Sequence, residues 1–316
     1  MLSDVFGQAE AVGYLRGVVE GRITSPLLLV GEEGVGRRFS VLESVKEMIA
    51  LQRGSSSPEV TQVEHGVHPD VMVVTAPADK EIGVDPIRAM VAQSLSYPSS
   101  APCRFFVVDG ADRMTMPAAN AILKTLEEPP AASRFFLLAE SYDRVLPTIR
   151  SRCGRVPFRK LPEGFIFERI SKFESDPDKA LVYARMGEGS VGRAARYWGS
   201  NRIVIRDHVL GVLQSSAIGD LPAAFSIVDQ LAKELPLALR FFCFLAHDAL
   251  VVQLDPRRVI NQDILDDVAT MKTRTKNETW LRLWSGLRVV WARYESSYVN
   301  LGFQVKTALV SAFVGG

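Results

Sequence analysis

The sequence predicts an α/β core built on a mostly parallel sheet, followed by a chain that is helical to its end. Three observations carry this expectation. Short apolar runs alternate with helix-period segments up to about residue 160, a glycine-rich turn joins the first run to the helix after it, and no strand-like run recurs beyond Pro162. Strands that alternate with helices need crossover connections, which make neighbouring strands parallel and cover both faces of the sheet with helices. At 316 residues the chain is long enough for two or three domains with proper cores. A hydrophobic content of 47% and a charged content of 23% are those of an ordinary globular protein. The net charge of +1 excludes a strong overall field towards nucleic acid, so any DNA contact needs a local patch or partners.

The elements follow in order. Residues 1–22 read as one helix, with Ala11, Leu15, Val18 and Val19 on its apolar stripe. Residues 26–30 form a buried strand that runs into Gly31-Glu32-Glu33-Gly34-Val35-Gly36-Arg37-Arg38, and the next helix continues through Val41, Val45, Met48 and Ile49. The polar, serine-rich residues 54–67 read as an exposed loop, and His65 and His68 as solvated histidines without ligand-spaced partners. A strand at 71–75 and a helix starting at Asp85-Pro86 come next. Residues 105–108 are a strand buried on both faces that ends in Asp109. A helix capped by Thr115 then carries Ala118, Ile122 and Leu126, and Glu127-Glu128-Pro129-Pro130 stops it. Residues 135–139 are another buried strand, and 146–153 lead out through Arg150 and Arg152. Residues 163–200 read as a small helical unit whose glycine-rich turn, 187–192, opens a helix carrying Arg193. Long helical patterns fill the rest, at 209–213, 221–231, 235–252, 264–271, 280–294 and 301–313.

The strand, glycine-rich turn and helix at 26–49 are the setting of a phosphate-binding loop. A working loop reads G-x-x-x-x-G-K-[ST]: the lysine reaches the β- and γ-phosphates and the hydroxyl ligates Mg²⁺. Gly31 and Gly36 keep that spacing, but Arg37 stands at the lysine position and Arg38 at the hydroxyl position. A planar guanidinium is no substitute for a compact ammonium in a tight loop, and a second cation falls where the metal would sit. Asp109, at a strand's C-terminal end where open α/β sheets bind ligands, is followed by Gly110 rather than a glutamate able to orient water. The bland alternative is a loop that never bound nucleotide and only caps a helix. The three cysteines, Cys103, Cys153 and Cys243, are scattered, which offers neither a disulfide framework nor a zinc site and fits a reducing cytoplasm. No apolar run approaches the ~20 residues that span a bilayer, and no signal-peptide pattern opens the chain, so a cytoplasmic location is expected.

The segment DGADRMTMPAANAILKTLEEPP, followed by FFLLAESYDRVLPTIRSRC, resembles the clamp-loader branch of the AAA+ family. His68-Pro69-Asp70 before a strand and Ile82-Gly83-Val84-Asp85-Pro86-Ile87-Arg88 at a helix start extend the resemblance, which covers the first 200 residues well and the remainder only through helical character. It implies an AAA+ P-loop-type α/β core at 1–160, a small helical lid at 161–200 and an all-α collar for oligomerisation at 201–316. It also implies that Arg152, within the triplet Ser151-Arg152-Cys153, is an arginine finger supplied in trans to an adjacent subunit. Spacing alone reads the same residue as a surface arginine in a solvated loop. By the same resemblance Gly31, Gly34, Gly36, Arg37, Arg38 and Asp109 are the remains of a nucleotide site, with weak or no binding, no tightly held cofactor and no metal. The ATP–Mg would lie at the neighbouring subunit's site. The implied partners are gamma/tau-type and delta-type clamp-loader subunits, a sliding clamp and primed DNA, with no membrane. Many relatives hold a zinc in a four-cysteine module after the first helix, and residues 50–67 contain no cysteine. Arg193 matches the family's second sensor arginine, and with no phosphate to sense it reads as a surface residue of the lid. Two rival readings are an active clamp-loader ATPase using Arg37 for lysine, and a DNA-binding repair AAA+ protein with Arg257-Arg258 and residues 272–276 as its footprint.

Overall fold

Each short apolar run in the first half of the chain is a strand. The computed structural model describes residues 1–76, 80–199, 202–296 and 300–314. Strands β1 (Leu27–Val30), β2 (Val71–Thr75), β3 (Arg104–Asp109), β4 (Ser133–Ala139) and β5 (Gly154–Pro157) pair in the order β2-β3-β4-β1-β5, every pair parallel. α1 (Ala9–Val19) precedes β1, and α2 (Arg37–Arg53), α3 (Pro58–Glu64), α4 (Val84–Ser94), α5 (Met116–Glu127) and the single turn α6 (Pro147–Arg150) lie in the connections between strands.

β1, β3 and β4 carry continuous apolar runs because both faces of the sheet are covered there. Leu27, Leu29, Phe105, Val107, Phe136 and Leu138 pack with residues of α1, α2 and α3. Their alternates Leu28, Val30, Phe106, Val108 and Leu137 pack with residues of α4, α5 and α6. Phe106 stacks on Phe135 across the β3–β4 pair with ring centroids 5.0 Å apart. Each large side chain buried this completely contributes about 1.5–3 kcal/mol.

Four expectations are corrected. The first helix is broken: a 3₁₀ turn at Leu2–Asp4 precedes α1, and Gly7 at φ +71° makes the bend, where a Cβ would run into Leu161. Residues 54–67 are not an open loop. Gly54 ends α2 at φ +90°, and α3 then buries Val60 and Val63 against the core. His68 is not solvated: it is buried, and its Nδ1 accepts from the Asp70 backbone N–H at 3.0 Å. Burial pushes its pKa down. Finally, the chain does not simply lead out after Cys153, because β5 adds an edge strand whose Val156 is fully buried.

Beside His68, the buried Asp70 accepts from the backbone N–H groups of Ser99, Ser100 and Ala101 at 2.8–3.0 Å, with Arg104 Nε 3.7 Å away. Burial alone would raise the Asp70 pKa, but these N–H groups and Arg104 together hold it below the usual carboxylate range.

The chain divides into two compact units, residues 1–162 with 189–192, and residues 163–188 with those from 193 onward. The second unit is helical: α7 (Glu163–Ile170), α8 (Pro177–Met186), α9 (Val191–Trp198, entered from the first unit), α10 (Ile203–Ala217), α11 (Leu221–Gln230), α12 (Leu235–Val251), α13 (Leu265–Thr273), α14 (Asn277–Ser296) and α15 (Leu301–Phe313). Phe241, Phe242 and Trp280 are its largest fully buried side chains. Buried Asp248 on α12 pins the following loop through the N–H groups of Ile260 and Asn261, at 2.7 and 2.9 Å. The expected lid–collar boundary at residues 200–201 lies outside the described residues.

Candidate functional site

The glycine-rich loop occupies the C-terminal end of β1, as its spacing predicts. Gly31 N–H donates to Ala139 O at the end of β4, at 3.1 Å. Gly34 and Gly36 then turn the chain at φ +76° and +101°, a region that favours glycine, and α2 begins at Arg37. Ser40 clamps the turn through its N–H and Oγ, both donating to Gly36 O at 2.8 Å. Other segments of the first unit close on the same loop. A Cβ on Gly31 would lie 2.7 Å from Phe158 O, and one on Gly192 would lie 2.8 Å from Gly34 Cα. Gly192 N–H donates to Gly34 O at 3.1 Å, and Ser190 Oγ to Glu33 O at 2.9 Å. Gln8 spans the gap to β5, giving its amide to Arg159 O at 2.7 Å and accepting from Arg159 N–H at 3.0 Å.

The loop's charges are balanced from within. Arg37 is buried, and Arg38 reaches to 3.8 Å from Asp109. Burial pushes the Asp109 pKa up, while Arg37 and Arg38 pull it back. Glu140, just past β4, is likewise raised by burial and lowered by Arg37. Asp112 Oδ2 accepts from the N–H groups of Glu140 and Ser141, both at 3.1 Å, and so fixes that turn. Gly110 sits at φ +108° with Ala76 Cβ 3.1 Å from where its own Cβ would be, so a glutamate at this position would be strained. Mg–ATP does not fit the residues present. The loop supplies no hydroxyl at position 38, and a guanidinium stands 3.8 Å from Asp109.

Ser151-Arg152-Cys153 lies at the opposite end of the strands. Gly154, the next residue, is the first of β5, and it pairs with Leu27, the first of β1. Four residues of strand, ~13 Å, therefore separate this triplet from the level of Gly31. The Arg152 side chain keeps 30% of its surface exposed. Its Nε and Nη2 donate to Glu127 Oε2 at 3.1 and 2.9 Å, and its Nη1 donates to Thr148 O at 3.0 Å. Ser151 Oγ donates to Thr148 O at 3.2 Å and lies 3.4 Å from Nη1. Cys153 packs against the core, and burial pushes its thiol up to about 12. Before the triplet, Arg150 stacks on Tyr142 at 4.7 Å and pairs with Asp143 at 3.3 Å.

The structure thus brings Gly31, Gly34, Gly36, Arg37, Arg38 and Asp109 together and keeps Arg152 apart from them. The Arg193 side chain, expected on the lid surface, is only 14% exposed, with Glu188 3.7 Å away across the turn that opens α9. The basic footprint splits: Arg257 and Arg258 are exposed and paired with Asp255, whereas Lys272 is buried and donates to Thr275 O at 3.0 Å. Among the described residues no group of His, Cys, Asp and Glu is arranged to hold a metal, and no helix is long and apolar enough to cross a membrane. Sequence reasoning missed Gln8, Glu127, Glu140 and Ser190 as parts of these sites. Only Glu127 carried a signal, as the residue closing α5 in the stretch that ends in the triplet.

Residues 7–162 match the family described as DNA polymerase III, delta subunit. The chain is 30% identical to the DNA polymerase III delta-prime subunit of Bacillus subtilis over 54% of its own length and 52% of that protein's. It is 29% identical to the delta-prime subunit of Escherichia coli over 66% of its own length and 63% of that protein's. The matched region therefore spans about half to three-fifths of these relatives. A solved Thermotoga maritima protein related to the DNA polymerase III gamma subunit superposes with a TM-score of 0.50 at 19% identity, covering 96% of this chain and 99% of that one, a likeness of fold. With an all-parallel core, residues 7–162 thus match the DNA polymerase III, delta subunit family and are similar to its delta-prime relatives.

Proposed function

We propose that this chain is a non-hydrolysing subunit of a clamp-loader complex that works through Arg152. In this reading it sits beside a gamma/tau-type ATPase and a delta-type subunit, and the assembly opens a sliding clamp and loads it onto primed DNA. ATP and Mg²⁺ are held by the neighbour, and Arg152 is presented to that neighbour's γ-phosphate. A guanidinium aimed there stabilises the charge that develops on the transferring phosphoryl group, an effect on the order of 10³–10⁵ in rate in well-studied NTPases. The observation that carries the reading is topological. Arg152 lies at the opposite end of β1 and β5 from its own glycine-rich loop, so any phosphate it serves belongs to another chain. The Arg38–Asp109 pairing and Gly110 at φ +108° support the silent half of the reading, because a guanidinium stands beside Asp109 and the residue after it carries no carboxylate.

The test is DNA-stimulated ATP hydrolysis by a reconstituted complex of this chain with gamma/tau-type and delta-type partners. Arg152→Ala is expected to lower turnover at the one site it faces by on the order of 10³ while the complex still assembles. Wild-type turnover with Arg152→Ala would overturn the assignment.

A further inference from the structure

The Arg152 fork is not loose. Of its five N–H groups, the Nε–H and one Nη2–H are taken side-on by Glu127 Oε2, and one Nη1–H is taken by Thr148 O. The other Nη1 contact, Ser151 Oγ, is the long one at 3.4 Å. The second Nη2–H has none of these acceptors. Glu127 thus takes the Nε edge of the guanidinium, which leaves the second Nη2–H, at the end of the fork, to meet an incoming anion. Glu127 is well placed to impose this. It is the last residue of α5, which the Pro129-Pro130 stop fixes in register, and it is 25 residues from Arg152 in sequence. Its carboxylate is itself 61% exposed, so the pair sits at the surface and adds little to the stability of the fold. Its consequence is geometric: an arginine with a long, flexible stem is held to one rotamer by a planar, charge-assisted contact.

We infer that Glu127 is a positioning residue for the trans arginine, holding the Arg152 guanidinium side-on so that its end edge faces the neighbouring subunit's phosphate. The inference rests on the function proposed above. Without Glu127 the guanidinium samples other rotamers, and the chemical step slows because the donors are no longer in place when charge develops. Binding of ATP, made by the neighbour's own loop, is unaffected. The role therefore predicts a loss in kcat with little change in KM.

The experiment is steady-state, DNA-stimulated ATP hydrolysis by the reconstituted complex with four forms of this chain: wild type, Glu127→Ala, Arg152→Ala and the double variant. Glu127→Ala is expected to lower kcat about tenfold, with KM for ATP changed less than twofold, and Glu127→Gln, which keeps an oxygen acceptor, to lose less. The double variant is expected to match Arg152→Ala, since a positioning residue has nothing left to position. A wild-type kcat in Glu127→Ala, or a double variant well below Arg152→Ala, would overturn the positioning role while leaving the finger assignment standing. A wild-type rate in Arg152→Ala would instead overturn the finger assignment and the positioning role with it. An unchanged thermal midpoint for Glu127→Ala is the expected control, because the carboxylate is exposed.

Discussion

Arginine meets carboxylate at both ends of the core's strands, with opposite consequences. At the C-terminal end, Arg37 is buried and Arg38 lies 3.8 Å from Asp109, with Glu140 also within Arg37's field. Charges of both signs are matched inside the chain, and the surrounding turns are clamped by Ser40, Ser190 and Gln8. At the N-terminal end, Arg152 meets a single exposed carboxylate and keeps a donor edge open. A third pairing, Arg104 with Asp70, marks the purely structural extreme, where the carboxylate is fully buried and saturated by backbone N–H groups. Burial and donor count, not residue type, separate an arginine that closes a site from one that keeps a donor open at the surface.

The comparison can be broken at its closed end first. If Arg37 and Arg38 are what shut the loop, Arg37→Lys with Arg38→Thr restores the loop pattern and should raise Mg²⁺-dependent affinity for a fluorescent ATP analogue at least a hundredfold, about 2.7 kcal/mol. Restored binding is not expected to bring hydrolysis by the isolated variant, since Gly110 still offers no carboxylate. Binding that does not rise in the double variant would mean that the loop's backbone, and not its two arginines, excludes nucleotide.

A smaller effect tests the structural extreme. Asp70→Asn keeps the shape but turns an acceptor into a donor facing backbone N–H groups, at a cost of about 2 kcal/mol in chemical unfolding. The sign of the pH dependence follows from the direction of the shift. The folded Asp70 pKa lies below its unfolded value, so its contribution is complete above the usual carboxylate range and is lost as pH falls through the folded value. Asp70→Asn should therefore flatten that part of the acid limb. Identical acid limbs in the two proteins would show that the N–H cradle is not what holds the β2–β3 edge.

Much of this was legible in the chain. The strands announce themselves because both faces of the sheet are apolar, and the missing lysine, hydroxyl and glutamate are read directly from Arg37, Arg38 and Gly110. What stayed hidden depends on tertiary partners. The segment 54–67 is polar in composition, yet Val60 and Val63 alone suffice to dock a seven-residue helix. His68 is buried and bonded to the backbone of Asp70, whose carboxylate holds a loop some thirty residues away, which no local spacing reveals. β5 has a single fully buried side chain, Val156, too weak a pattern for a strand until β1 is there to pair with it. The triplet's arginine and Glu127 at the end of α5 were each readable, but their pairing was not, because the contact needs α5 and α6 to end side by side.

One pair of variants tests the account most directly. In the same reconstituted complex, DNA-stimulated ATP hydrolysis is measured with Arg152→Ala and with Arg38→Ala in this chain. The account predicts a large loss of turnover for Arg152→Ala and a wild-type rate for Arg38→Ala. Loss with Arg38→Ala and none with Arg152→Ala would return the function to this chain's own loop and contradict it.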